Sequence, residues 1–254
     1  MEEIKEPKLV EHLFEGWQET LIWSCLQQVM GKLYANDAKS PTSVMALIGD
    51  FCFFAGEPDE ELVLFQKELD KYNFVIMVPQ TKEWAELIES CYWDKCKKVT
   101  RYAIKKEPDV FNKVALQEVV SALPKEYTLQ MMNEELFYRC KEIGWCSDWV
   151  AQYPEYEMYE KYGLGAVILK NGEPVSGASS YTSYLGGIEI EIDTKEEYRR
   201  KGLAYVCGAK LILECLERGW YPSWDAQNKW SVALAEKLGY HYAHDYDAYE
   251  VYFG

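Results

Sequence analysis

The chain has 254 residues, 48% apolar and 15% aromatic, enough for one large domain or two small ones with full cores. Its formal charge of −15, with no cluster of Lys and Arg standing out, argues against nucleic acid or an anionic membrane as partner and suits a cationic substrate better. No apolar run approaches membrane-spanning length, and the N-terminus lacks signal-peptide character, so a soluble cytoplasmic protein is expected. The eight cysteines form no C-x-x-C pair and mostly lie far from the three histidines, which predicts reduced, buried thiols and no metal site.

Residues 1–40 read as mostly helical, because Leu21, Ile22, Cys25, Leu26, Val29, Met30 and Leu33 recur at helical spacing until Pro41. Val44–Phe54 is an apolar run broken by Gly49-Asp50, consistent with one or two strands and a turn. A short β-rich run at 74–78, helical spacing from Trp84 to Tyr92, a strand at 99–104 and a helix at 110–123 follow. Near residue 125 the order starts afresh. A strand at 127–131 and a helix at 133–143 lead to two antiparallel strands, 165–170 and 174–184, joined by the hairpin dipeptide Asn171-Gly172. Then come a strand at 187–193, a helix at 204–218, a strand at 221–225, a helix at 228–238 stopped by Gly239, and one or two closing strands. This order predicts an α/β protein with a mixed sheet and two closely packed lobes, 1–124 and 125–254.

Gly187-Ile-Glu-Ile-Glu-Ile-Asp-Thr194 alternates strictly, with Ile188, Ile190 and Ile192 on one face and Glu189, Glu191 and Asp193 on the other. Directly after it stands Arg199-Arg200-Lys201-Gly202-Leu203-Ala204, and then a helix. Free N–H groups and the positive dipole end at a helix start suit a pyrophosphate. Gly202 and Ala204 keep the approach clear, and Arg199, Arg200 and Lys201 add charge-assisted contacts.

This stretch resembles the acyl-CoA pyrophosphate loop of GNAT acetyltransferases, Gln/Arg-x-x-Gly-x-Gly/Ala, with Arg199, Gly202 and Ala204 matching. Asn228-x-x-Ser231-x-x-Leu234-Ala235-Glu236-Lys237-Leu238-Gly239-Tyr240 is similar to the family's later helix, whose Asn lies beside the pantetheine and sulfur end of acyl-CoA. Residues 154–163, 171–177 and 188–204 resemble the zwittermicin A-resistance-like branch of that family. The resemblance implies the GNAT fold for 125–254, a non-catalytic and degenerate GNAT-like lobe before it, and acetyl transfer from acetyl-CoA to an amine of a small, antibiotic-like molecule. Arg199 to Ala204, Asn228 and Ser231 would then hold acetyl-CoA.

Amine acylation requires a proton acceptor, and a strand carboxylate suits it. Glu189 and Glu191 are the candidates, with Glu189 ranked slightly first. Backbone donors around Ile192, Asp193 and Thr194 would stabilise the oxyanion. The tyrosine that many GNAT enzymes place seven residues after the Asn is Ala235 here, with Tyr184, Tyr240 and Tyr242 as stand-ins. Trp145, Trp149 and Tyr153 either line a substrate entrance with Asp148 or staple a helix onto the sheet. A non-catalytic acyl-CoA sensor and a double-GNAT aminoacyltransferase, working with charged tRNA and a peptidoglycan precursor, are the rival functions. Monomer and homodimer both remain open.

Overall fold

The computed structural model of the chain describes residues 1–69 and 71–253. In chain order the elements are β1 (Glu2–Glu3), α1 (Thr20–Leu26), β2 (Lys32–Ala35), β3 (Ser43–Ile48), β4 (Phe51–Gly56), α2 (Glu60–Val63), α3 (Gln66–Leu69), β5 (Phe74–Pro79), α4 (Lys82–Tyr92) and β6 (Cys96–Ile104). There follow α5 (Lys113–Ser121), β7 (Thr128–Met131), α6 (Glu134–Glu142), α7 (Tyr156–Tyr162), β8 (Gly165–Lys170), β9 (Glu173–Tyr184) and β10 (Gly187–Thr194). The chain ends with α8 (Leu203–Glu217), β11 (Tyr221–Ser223), β12 (Asp225–Ala226), α9 (Lys229–Leu238) and β13 (Tyr242–Tyr252).

Two compact units result, Met1–Arg101 with Asp245–Gly254, and Tyr102–His244. The division thus falls well before the 124/125 boundary expected from the sequence, and the last residues of the chain return to the first unit. The physical reason is β13, whose residues 249–252 pair antiparallel with β5.

In the first unit the strands run β1-β2-β3-β4-β5-β13-β6. Strands β1 to β4 pair antiparallel with their neighbours, and β4 then pairs parallel with β5. A core of Met45, Cys52, Phe54, Met77, Trp84, Ile88, Tyr249 and Val251 lies against this sheet. The helix read over 1–40 is limited to α1 and two 3₁₀ turns, Pro7–Leu9 and Glu11–Phe14. Gln28 and Gly31 take positive φ, which ends the helix, and Leu33 belongs to the buried strand β2. Gly31 has no room for a side chain, because a Cβ there would sit 2.6 Å from Cys25 Sγ and 2.7 Å from Ile48 Cβ.

In the second unit the sheet order is β11-β10-β9-β8-β7. Asn171 and Gly172, both at positive φ, make the tight β8–β9 turn that the Asn-Gly dipeptide predicts. Helix α8 buries Leu203, Val206, Cys207, Ala209, Leu211, Ile212 and Cys215 in the core that also takes Ile188 and Ile190. The opposite stretch of β9 is packed by aromatic rings. A Cβ at Gly177 would meet the Trp149 ring at 2.6 Å, and Tyr153 is fully buried with its Oη 2.6 Å from Ser183 Oγ. Trp145 stacks edge-on against Trp149 with centroids 5.1 Å apart. These aromatics therefore staple the α6–α7 segment onto the sheet, and the entrance role offered for Trp149 and Tyr153 does not hold.

Candidate active site

Strands β10 and β11 begin paired and then part. Gly187, Ile188 and Glu189 lie in parallel register with Tyr221, Pro222 and Ser223. The pairing is close at its start, since a Cβ on Gly187 would run into the Tyr221 carbonyl and the Tyr184 hydroxyl. Beyond Ser223 the chain leaves β10, and Asp225–Ala226 pairs instead with Tyr102 and Ala103. Strand β10 continues to Thr194 with β9 at its other edge.

Which β10 groups point into the opening follows from two bonds. Tyr221 N–H donates to Gly186 O at 2.8 Å, and on the other edge Lys195 N–H donates to Val175 O at 3.0 Å. Strand alternation then turns the N–H groups of Ile190 and Ile192 to the edge that β11 has left. The Thr194 N–H is taken by its neighbour, donating to Asp193 Oδ1 at 2.6 Å.

The side chains of β10 divide as the alternation predicts. Ile188 and Ile190 enter the core, and Ile192 packs against it. On the carboxylate face Glu189 is only 6% exposed, while Glu191 and Asp193 are half-buried. A bulge at this point, where Glu189 opposes Thr182 but Ile190 opposes Ser180, sets Tyr181 aside in β9.

Glu189 stands among three phenols. Burial, and with it the Glu189 charge, raises the pKa values of Tyr184, Tyr221 and Tyr240. Each phenol has a hydrogen-bond partner. Tyr184 Oη lies 2.9 Å from Ser223 Oγ, Tyr240 donates to Pro222 O at 2.6 Å, and Tyr221 donates to Lys105 O at 3.2 Å. The three come from β9, β11 and the residues after α9, a convergence around the Glu189 charge that no local motif announces.

After β10, a single 3₁₀ turn at Glu196–Tyr198 leads into the basic loop. Arg199 holds the loop to the strand end: its Nε donates to Thr194 O at 3.1 Å, and Nη2 lies 3.6 Å from Asp193. Lys201 Nζ sits 4.6 Å from the Tyr198 ring centroid. Arg200 and Gly202 take positive φ, +61° and +81°, so the backbone turns sharply at both. Gly202 is the N-cap of α8 and, having no side chain, leaves the cap position empty. By contrast Asp59, Thr81, Asn112, Asn133 and Asn228 each accept a backbone N–H at the start of α2, α4, α5, α6 and α9. A Cβ at Gly202 would find nothing within 4 Å, so the space before the first turn of α8 is open. An uncapped 15-residue helix, a clear approach and exposed Arg200 and Lys201 together have the charge and free N–H groups that suit an anion.

Asn228 and Ser231 sit at the start of α9, beyond the end of β11. Asn228 Oδ1 accepts the Ser231 N–H at 2.9 Å, and Ser231 Oγ accepts from Trp224 Nε1 at 3.0 Å. Trp224, which the sequence reading passed over, thereby ties β11 to α9. Ala235 is fully buried in the core of this unit. Leu203 is buried as well, so its side chain anchors α8 while its backbone N–H faces the loop.

Among the described residues no helix is long and apolar enough to cross a membrane. The model of the GNAT acetyltransferase family matches residues 11–249. The GCN5-related N-acetyltransferase-like protein from Streptococcus suis 89/1591 has a solved structure with TM-score 0.92 and 44% identity, the match covering 97% of this chain and 98% of that one. The uncharacterized N-acetyltransferase YdfB of Bacillus subtilis (strain 168) is 28% identical over 244 residues, 91% of this chain and 89% of that protein. A GCN5-related N-acetyltransferase from Kribbella flavida shares the fold, with TM-score 0.54 at 17% identity over 99% of this chain and 96% of that one. The parted strands, the open helix start and the match across nearly the whole length lead to one conclusion: the chain belongs to the GNAT acetyltransferase family.

Proposed function

We propose that this acetyltransferase moves an acetyl group from acetyl-CoA to the amine of a small cationic molecule, with Glu189 as the base. The observation that carries the reading is the parting of β10 from β11 beside a buried carboxylate, next to an uncapped helix. The chain fits the co-substrate: the N–H groups of Leu203, Ala204 and Tyr205, with Arg200 and Lys201, match a pyrophosphate in charge and hydrogen bonding. The edge of β10 and Asn228 would flank the arm that ends in the thioester. Bound there, acetyl-CoA supplies an acyl carbon activated by a thiol leaving group.

The rest follows from this chain's residues. Glu189 accepts the proton that the attacking amine must lose as the new C–N bond forms and the C–S bond breaks. The N–H groups of Ile190 and Ile192 face negative charge developing on the acyl oxygen. Glu191 and Asp193, on the same face, favour an acceptor with positive charge. Glu189 is preferred to Glu191 as the base because it is buried at the point where the strands part. With Ala235 sealed in the core and Tyr184 and Tyr240 hydrogen-bonded elsewhere, the departing thiolate takes its proton from solvent, and the proton on Glu189 returns to solvent to reset the base. The resemblance to the zwittermicin A-resistance-like branch supports a hydroxylated amine as acceptor.

Glu189→Gln is expected to lower kcat about a thousandfold while calorimetry finds unchanged acetyl-CoA affinity. Glu191→Gln is expected to raise KM for a cationic amine with little change in kcat. Full turnover in Glu189→Gln removes Glu189 as the base. Acetyl-CoA binding without turnover on any of a broad panel of amines favours the sensor reading.

A further inference from the structure

Trp230 is 84% exposed and Trp93, in the first unit, 82%, whereas Trp84, Trp149 and Trp224 are buried; of the two exposed indoles only Trp230 belongs to the unit that carries the basic loop. It lies in the first turn of α9, and the packing of α9 on α8 shows what it overlooks. Tyr205 Oη donates to Lys237 O at 3.3 Å, and Lys237 Nζ lies 3.9 Å from the Tyr205 ring centroid. One turn on, Gly208 packs on Leu238, where a Cβ would come within 2.8 Å of Leu238 Cδ1. The third residue of α8 is thus level with the ninth of α9. The early turns of α9 therefore extend past the start of α8.

Trp230 precedes Lys237 by seven residues and shares its helix flank, about 10 Å further along the axis. That position is beyond the open N-terminus of α8, on the side of the Arg199–Gly202 loop. Lys229 beside it gives a second signal. It is an exposed cation in a first turn that holds no acidic residue, where its charge opposes the helix dipole. A phosphate there would relieve this repulsion.

We propose that Trp230 is the platform on which the adenine of acyl-CoA stacks, with Lys229 beside the ribose phosphate. This rests on the acyl-CoA reading above and extends it to the nucleotide end of the molecule. An indole offers a base a flat apolar face at little entropic cost, since its side chain has two rotatable bonds.

The test is calorimetric titration of wild type, Trp230→Ala and Trp230→Phe with two ligands: acetyl-CoA, and S-acetyl-4′-phosphopantetheine, which lacks the nucleoside. Trp230→Ala is expected to bind acetyl-CoA about tenfold more weakly, and Trp230→Phe less than about threefold. The truncated thioester is expected to bind all three proteins alike, and acetyl-CoA to quench less tryptophan fluorescence in Trp230→Phe than in wild type. Equal acetyl-CoA affinity in wild type and Trp230→Ala overturns the platform and leaves the cofactor site standing. Equal weakening for both ligands overturns it too, by placing Trp230 on the pantetheine arm. Wild type that binds no acetyl-CoA overturns the cofactor reading itself.

Discussion

The two units of this chain run through the same strand plan and end it differently. In each, an antiparallel series of four strands (β1 to β4, β7 to β10) is followed by a helical crossover and a strand parallel to the fourth, β5 or β11. In the second unit the parallel pair parts after three residues. In the first it stays closed: Phe51–Phe54 pair with Ile76–Pro79, Gln80 N–H then donates to Phe54 O, and the Gln80 side chain accepts the Gly56 N–H at 3.1 Å. The crossover differs as well. After β4 the chain reads Glu57-Pro58-Asp59-Glu60-Glu61, and Asp59 accepts the Leu62 N–H at the start of a four-residue helix. After β10 it reads Arg199-Arg200-Lys201-Gly202, and the helix start is open. The strand β4 is apolar where β10 carries carboxylates, with Phe51, Cys52, Phe53 and Phe54 all buried. One plan thus closes its parallel pair over a capped helix in the first unit and leaves an open helix start beside basic residues in the second. What separates them is the pairing of two strands and the charge of some six residues.

The sharpest way to break the comparison is to put a carboxylate before α8, as Asp59 stands before α2. Gly202→Asp places a carboxylate at an open helix start, where it repels phosphate. A like charge in such a position costs several kcal/mol, so acetyl-CoA affinity is expected to fall about a hundredfold or more. An Asp at this positive φ costs about 1–2 kcal/mol, so the folded state is expected to hold with a slightly lower denaturation midpoint. Unchanged affinity by calorimetry would show that the pyrophosphate does not rest on α8.

A second intervention asks whether the missing tyrosine can be put back. Ala235 is fully buried in the second unit's core, so Ala235→Tyr must displace packed side chains. A destabilisation of about 2 kcal/mol and a Tm lower by about 5 °C are expected, with no gain in kcat. A stable, faster variant would mean that the position still opens on the reacting centre.

Much of the second unit is legible because its signals are local. Strict alternation marks β10, Asn171-Gly172 marks a hairpin, and Gly202 and Gly239 bracket two helices at positive φ. The loop's chemistry is legible for the same reason, since the charges and the glycine are adjacent in sequence. The site's depth is not. That Glu189 is buried among Tyr184, Tyr221 and Tyr240, and that β11 leaves β10 at Ser223, depend on pairings between distant segments. The first unit misleads for a related reason. The apolar residues of α1, Met30 and Leu33 fall at helical intervals, but positive φ at Gln28 and Gly31 turns the later ones into a strand. In sequence Trp149 and Tyr153 suit a core staple and a pocket wall alike, because a fully buried ring and a lining ring have the same residue type.

A pH measurement separates the hydroxyl-rich second unit from bulk behaviour. Burial pushes the Tyr153 phenol up to about 12, with the Ser180 and Ser183 hydroxyls pulling the other way. A phenol raised on folding stabilises the protein fully below its unfolded pKa, about 10. That contribution is lost as pH rises through the folded value. The Tyr153 contribution is therefore expected to be flat up to about pH 10 and to fall towards pH 12. Tyr153→Phe is expected to make that fall shallower in chemical denaturation at each pH.

The smallest effect comes from the first unit, and it is the most specific. Asp59→Ala removes the side chain that accepts the Leu62 N–H, at 3.2 Å, at a partly buried position. Loss of such a cap costs about 1 kcal/mol, so a slight drop in denaturation midpoint is expected. If the first unit only scaffolds, kcat, KM and acetyl-CoA affinity stay at wild-type values, since uncapping α2 cannot make a phosphate site. Glu57, Glu60 and Glu61 still surround it, and a four-residue helix has little dipole to offer. A second equivalent of acetyl-CoA bound by Asp59→Ala would show instead that the cap alone had closed the first unit. The difference between the units would then rest on one residue and not on the strand pairing.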